Sequence, residues 1–280
     1  VAAKAVSTGR SRRGWSFYGT WRSCPRKWAF IYLEGRDPIV NGGPLAIGTM
    51  VHELLAATLL KRMGQEAHAT DARIEAKVRD TMGLDDDGAE LAKRVSREWR
   101  AATLSETDKP IAVEKEYAIR FVPLKSGRIR KEPEESGRGV LFTHRVDATM
   151  EDLRGGIWFD DHKTTWDPQA AALDYGMSGS HHGDWHLGRF HFPGRFRGPR
   201  LNFLRKGADV VSGKRRPAAA PRMVEEFPQQ LVTIAREITH WRKRTRDPWE
   251  YPRAGEAVCT RDKWGHCPFL DLCRFGPGGQ

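Results

Sequence analysis

Hydrophobic and polar residues alternate most clearly from Gly139 to Thr165, where two runs read as paired strands. Val140, Phe142 and Val146 mark the first. In the second, Ile157, Phe159, Asp161 and Lys163 fall on one face and Trp158, Asp160 and His162 on the other, as residues two apart do in a strand. Glu151 to Gly156, with its Gly155-Gly156 pair, supplies the turn between them. Ile111 to Val122 alternates strictly and predicts an earlier strand, with Ile111, Val113, Lys115, Tyr117, Ile119 and Phe121 opposite Glu114, Glu116 and Arg120. Leu201 to Leu204 predicts a further strand between basic loops.

Helical spacing covers much of the remainder. Ser16 to Leu33 carries Trp21, Cys24, Trp28, Ile31 and Tyr32, with Pro25 opening a new helix rather than sitting inside one. A second helix starts at Gly48 and buries Leu54, Leu55, Thr58 and Leu59. Residues 65–108, with Ile74, Val78, Leu84, Leu91, Val95 and Trp99 at helical intervals, read as a helical insertion over one side of the sheet. Glu225 to Arg246 forms an amphipathic helix through Leu231, Ile234, Ile238 and Trp241, ending in a cationic turn that suits its dipole. The expected fold class is α/β: a mixed central sheet flanked by helices, one domain over 16–275, and a basic, flexible stretch over 1–15.

Charge narrows the partner. The 280 residues carry a net charge of +11 and the pI is near 9.7. Basic residues cluster at Arg22, Arg26 and Lys27, from Arg195 to Lys206, at Lys214 to Arg216 and from Arg242 to Arg246, which favours a polyanion, foremost nucleic acid. No apolar run in the sequence approaches the ~20 residues of a membrane span, so a cytoplasmic chain is expected. There is no Gly-x4-Gly-Lys-Ser/Thr loop, so an ATP-driven motor such as a helicase would be a separate protein.

The candidate chemistry lies where charge interrupts the strand pattern. Asp161 and Lys163 continue the face that Ile157 and Phe159 bury, and Asp147 sits on the neighbouring strand. Two carboxylates and a lysine gathered in this way suit a hard divalent cation and phosphodiester hydrolysis. Lysine adds a cation that could orient water or offset charge on the transition state.

An Asp on one strand and Asp-x-Lys on the next resembles motifs II and III of the PD-(D/E)xK nuclease superfamily. The DHKTT phrasing, the upstream GTMVHELL and the flanking cysteines are similar to the RecB-type exonucleases, including the AddB nuclease domain and the iron-sulfur CRISPR-adaptation and phage exonucleases. That resemblance implies a metal-dependent DNA exonuclease of restriction-endonuclease-like fold. Asp147, Asp161 and Lys163 would be catalytic, and Mg2+ or Mn2+ would be held by Asp147, Asp161, His52 and the backbone carbonyl of His162. The family prefers an apolar residue where Asp160 stands. Its Gln-x3-Tyr helix, expected about 20 residues past the lysine, reads SGSHHGDWHLGRFHF here. His182, Asp184 or His186 would take over part of its role, with His182, His186 and Lys206 contacting nucleic acid.

Four cysteines complete the picture, one near the start (Cys24) and three near the end (Cys259, Cys267 and Cys273). In a reducing compartment such a set argues for metal rather than disulfides, with a [4Fe-4S] cluster or zinc as the alternatives. The layout resembles the iron-sulfur staple of the same exonucleases. Rival readings are a nucleic-acid-binding or assembly subunit that keeps the fold without cleaving, and a structure-specific endonuclease.

Overall fold

The computed structural model describes residues 13–36, 42–67, 69–104, 107–205, 212–215, 217, 220–255, 259 and 267–275. The chain divides into two compact units. Of the described residues, the first takes those within 42–119 and 144–225, and the second those within 13–36, 120–143 and 226–275.

Three helices of the first unit form one apolar layer: α3 (Gly42–Arg62), α4 (Asp71–Met82) and α5 (Asp86–Leu104). The sheet has strand order β2-β1-β3-β4-β5-β6, and its long strands β1 (Lys109–Pro123) and β3 (Val140–Glu151) contribute residues to both units. β4 (Ile157–Thr165) pairs antiparallel with β3 and parallel with β5 (Phe196–Arg205), which pairs antiparallel with β6 (Ser212–Arg215). β5 therefore starts earlier than its short apolar run suggests. α6 (Pro168–Gly176) and α7 (Gly179–His191) connect β4 to β5.

The two faces of β4 serve different layers, as its period-2 pattern requires. Trp158 joins Ala148, Met150 and Leu204 in packing with Met50, Leu54, Leu55, Ile74, Val78, Val95 and Trp99 of α3 to α5. Phe159, on the opposite face, stacks on Tyr117 at 4.9 Å. α3 is long and apolar enough to cross a membrane by length and composition, contrary to the reading of the sequence. Its Met50, Val51, Leu54, Leu55 and Leu59 are nonetheless spent on this layer. The β3–β4 turn follows the expected plan: Asp152 accepts from the N–H groups of Arg154 and Gly156, and Gly155 takes φ +73°.

The second unit holds α1 (Trp15–Ser23), α2 (Pro25–Tyr32), β2 (Ile129–Glu132), most of α8 (Pro221–Arg244) and the short α9 (Leu270–Phe275). Pro25 opens α2 as expected, and Cys24 Sγ accepts from Lys27 N at its start. Trp21, Trp28 and Tyr251 meet edge-to-face or tilted. Arg26 donates to the carbonyls of Tyr251 and Trp249.

Candidate active site

The site lies wholly in the first unit. α3 brings His52, β1 Glu114, β3 Asp147, and β4 Asp161 and Lys163. Gly48 lets α3 approach β4, since a Cβ there would meet Thr164 Oγ1 at 3.3 Å. One turn further on, His52 Nδ1 lies 3.6 Å from Asp147 Oδ2. The β3–β4 ladder is paired from Glu151↔Ile157 to Ala148↔Asp160. Immediately beyond it the Asp147 carboxylate accepts the backbone N–H of His162 at 2.7 Å.

Glu114 is where the alternating pattern fails. Among the described residues it is the one non-glycine with positive φ, at +49°. Val113 packs with the α3–α5 layer, whereas Tyr117 packs on the opposite face against Thr149 and Phe159. Strict alternation would put residues 113 and 117 on one side, so the left-handed residue resets the strand and turns the Glu114 carboxylate toward Asp147. Such a conformation costs about 1–3 kcal/mol for a non-glycine residue and clusters at functional sites. Among the described residues, His52, Glu114 and Asp147 form the one His/Cys/Asp/Glu group whose ligand atoms all lie within 4.8 Å of one another.

Electrostatics agree with this crowding. Burial pushes Glu114 up, the Asp147 charge pushes it further and Arg145, 3.0 Å away, only partly offsets them, leaving its pKa at about 8. Burial also raises Asp147, but His52, His162, Lys163 and the His162 N–H outweigh it and bring that carboxyl to about 2. Lys163 Nζ lies 2.8 and 2.9 Å from the two Asp161 oxygens. Burial pulls the Lys163 ammonium down, yet the charges of Asp161 and Asp147 raise its pKa overall, so it stays a cation.

The residues expected to form the site are thus partly brought together. His52 and Asp147 meet, Glu114 joins them, and Asp161 is taken by Lys163. The His162 side chain is buried, its pKa lowered to about 4 by desolvation, with Nδ1 3.0 Å from Asn202 Nδ2. Asp160 faces away. It is 1 % exposed, and Arg200 grips both its oxygens at 2.6 and 3.0 Å while reaching Asp108 at 2.7 Å. That partner explains the acidic residue at a position expected to be apolar, and it takes Arg200 out of the basic cluster read as favouring a polyanion. His182 and His186 are buried, with Nε2 against the carbonyls of Gly176 and Val224 respectively. Contact with nucleic acid does not fit that burial. Lys206 lies outside the described residues.

Sequence reasoning missed His144 and Tyr175, and read Glu114 only as a polar position of an alternating strand. Asp184 of α7 is 1 % exposed and receives both of the first two: His144 Nδ1 at 2.5 Å on one oxygen and Tyr175 O–H at 3.2 Å on the other.

A profile of the PD-(D/E)XK nuclease superfamily matches residues 16–182, a span that holds Glu114, Asp147, Asp161, His52 and Lys163. The chain belongs to the PD-(D/E)XK nuclease superfamily. The fold agrees: a crystal structure of a "Putative exonuclease" from Eubacterium rectale superposes with a TM-score of 0.50 at 10% identity, over 98% of this chain and 93% of that one. A crystal structure of SSO0001 matches with a TM-score of 0.29 at 11% identity, over 80% of this chain and 88% of that one. No curated protein sequence matches the chain. Superfamily membership implies a nuclease acting on a nucleic-acid substrate with divalent metal ions.

Proposed function

We propose that this superfamily member is a metal-dependent DNA exonuclease of RecB type. The observation that carries the reading is the convergence of His52, Glu114 and Asp147 from three separate elements, beside a lysine held by its own Asp-x-Lys aspartate. One imidazole and two carboxylates suit Mg2+ or Mn2+, with Asp161 a further ligand once it exchanges Lys163 for the ion. A divalent ion bound there would offset charge on the scissile phosphate and lower the pKa of an attacking water. Lys163 remains an ammonium, so its part is to orient that water and balance charge rather than to remove a proton. Arg145 holds Glu114, and the His162 N–H holds Asp147, so the acids keep their positions without the ion.

In the second unit, burial raises the thiol pKa of both Cys267 and Cys273; the charges of Cys259 and Cys24 add to it at Cys267, and those of Cys24, Cys267 and Cys259 at Cys273. That mutual influence supports reading the four as one ligand set for the [4Fe-4S] staple, with zinc as the alternative. The four do not form a second group at the spacing reached by His52, Glu114 and Asp147. Anaerobically purified protein is expected to be brown, with broad absorbance near ~400 nm. Colourless protein with stoichiometric zinc would reverse the assignment.

The activity test is incubation of end-labelled single-stranded and duplex DNA with Mn2+, comparing the unaltered chain with Lys163→Ala. Progressive shortening by the first alone supports the reading. Discrete bands would favour a structure-specific endonuclease, and intact DNA in both would leave a binding subunit.

A further inference from the structure

We propose that His144, held from behind by Asp184, contacts a phosphate of the substrate through its second ring nitrogen. This inference rests on the nuclease reading and deepens it.

Its basis is a buried polar network that the chemistry assigned above does not use. A carboxylate as deeply buried as Asp184 is costly unless every lone pair finds a partner. Its partners are His144 on β3 and Tyr175 on α6, one on each oxygen. Tyr175 is itself buried. The His144 side chain keeps 22% of its surface exposed, so the imidazole is the member of the network that solvent and substrate can reach. Nδ1 is committed to Asp184, and among the described residues no partner takes Nε2. A ring fixed at one nitrogen by a carboxylate presents the other in a set direction.

Position and charge both point to a phosphate. His144 stands three residues before Asp147 on the same strand, and the charges of Asp161 and Asp147 reach it. Burial pulls the imidazole down, but Asp184 outweighs it by charge and hydrogen bond and leaves its pKa at about 9, so the ring is a cation at neutral pH. Lys163 and Tyr175 also feel the Asp184 charge, which places the network beside the Asp-x-Lys pair. A cation on the rim of an acidic metal site offers what the acids cannot, a donor for the non-bridging oxygens of a phosphodiester. Asp184 is then a positioning residue. It lies on the helix where the family's missing Gln-x3-Tyr would fall.

The test is the salt dependence of binding, which a merely structural histidine would not alter. A labelled single-stranded oligonucleotide is titrated by fluorescence anisotropy over a range of NaCl, with Ca2+ in place of Mn2+, for the unaltered protein, His144→Ala, His144→Gln and Asp184→Asn. One lost cation–phosphate contact is expected to weaken binding about tenfold at low salt and to flatten the plot of log K against log[salt] by about 0.7. His144→Gln, which keeps a donor but no charge, should restore some affinity and none of the slope. Asp184→Asn should move slope and affinity in the same direction by less. If His144→Ala, or His144→Gln should the alanine variant fail to fold, binds with the original slope while the unaltered protein degrades DNA with Mn2+, this proposal is overturned and the nuclease reading stands. If the unaltered protein neither binds nor degrades DNA, the nuclease reading itself fails.

Discussion

Asp160 and Asp161 are neighbours in sequence and belong to different parts of the molecule's logic. Asp160 lies among apolar side chains and has a full-time partner in Arg200, whose guanidinium also stacks over Trp158 at 4.9 Å. Among the described residues, Asp161 is paired with the half-exposed Lys163 alone, beside a second acid and an imidazole. One carboxylate is satisfied by the fold, while the other is held next to unsatisfied charge. Strand periodicity alone separates them, which is why adjacent identical residues differ so much in what they can do.

The contrast makes opposite forecasts for the two positions. Asp161→Asn should reduce Mn2+-dependent cleavage by about 10^3-fold or more, within the range found when a transition-state electrostatic partner is removed. Its melting temperature should stay level or rise, since a repulsive charge is gone. Lys163→Ala should match it in activity. Asp160→Ala should do the reverse: a loss of about 3 kcal/mol in unfolding free energy by denaturant titration, because the buried Arg200 loses the carboxylate that grips it twice and keeps only Asp108. The protein that remains folded should still cut. Equal activity losses at 160 and 161 without loss of stability at 160 would erase the distinction. Combining Asp160→Leu with Arg200→Met should recover most of that stability, since a buried ion pair and a well-packed apolar pair are often close in free energy.

How much of this could be read from sequence follows the same division. The strands carrying Asp147, Asp161 and Lys163, their turn and the helix carrying His52 were legible, because each rests on local periodicity or on a turn residue with a mechanism. Glu114 was nearly lost because alternation assumes an unbroken pleat, and its left-handed φ breaks it. Asp160 looked out of place because its partner Arg200 comes from a strand forty residues on, paired in parallel register. His144 and Tyr175 join through Asp184 across three elements, and no spacing rule finds such a set. The division into two units was also illegible, since it cuts β1 and β3 mid-strand.

Glu114 provides the most delicate test, because its charge and its position oppose one another. Its folded pKa of about 8 lies above the ordinary 4.5. In the metal-free protein the neutral carboxyl therefore contributes stability that is complete below pH 4.5 and is lost as pH rises to about 8. The loss amounts to at most about 1.4 kcal/mol per pH unit across that window. Asp147, depressed to about 2, acts in the opposite sense, and its contribution disappears only as pH falls from about 4 towards 2, so the two windows do not overlap. Thermal melts in EDTA should show the unaltered protein losing stability from pH 5 to pH 8 and Glu114→Gln losing less. Mn2+ should reverse the trend, raising the melting temperature more at pH 8 than at pH 5.5, because ligation has to displace the Glu114 proton at the lower pH. A metal-free melting temperature that runs parallel in the two proteins would mean that Glu114 is already ionised without an ion, and that His52 and Asp147 face a looser partner than the 4.8 Å grouping implies.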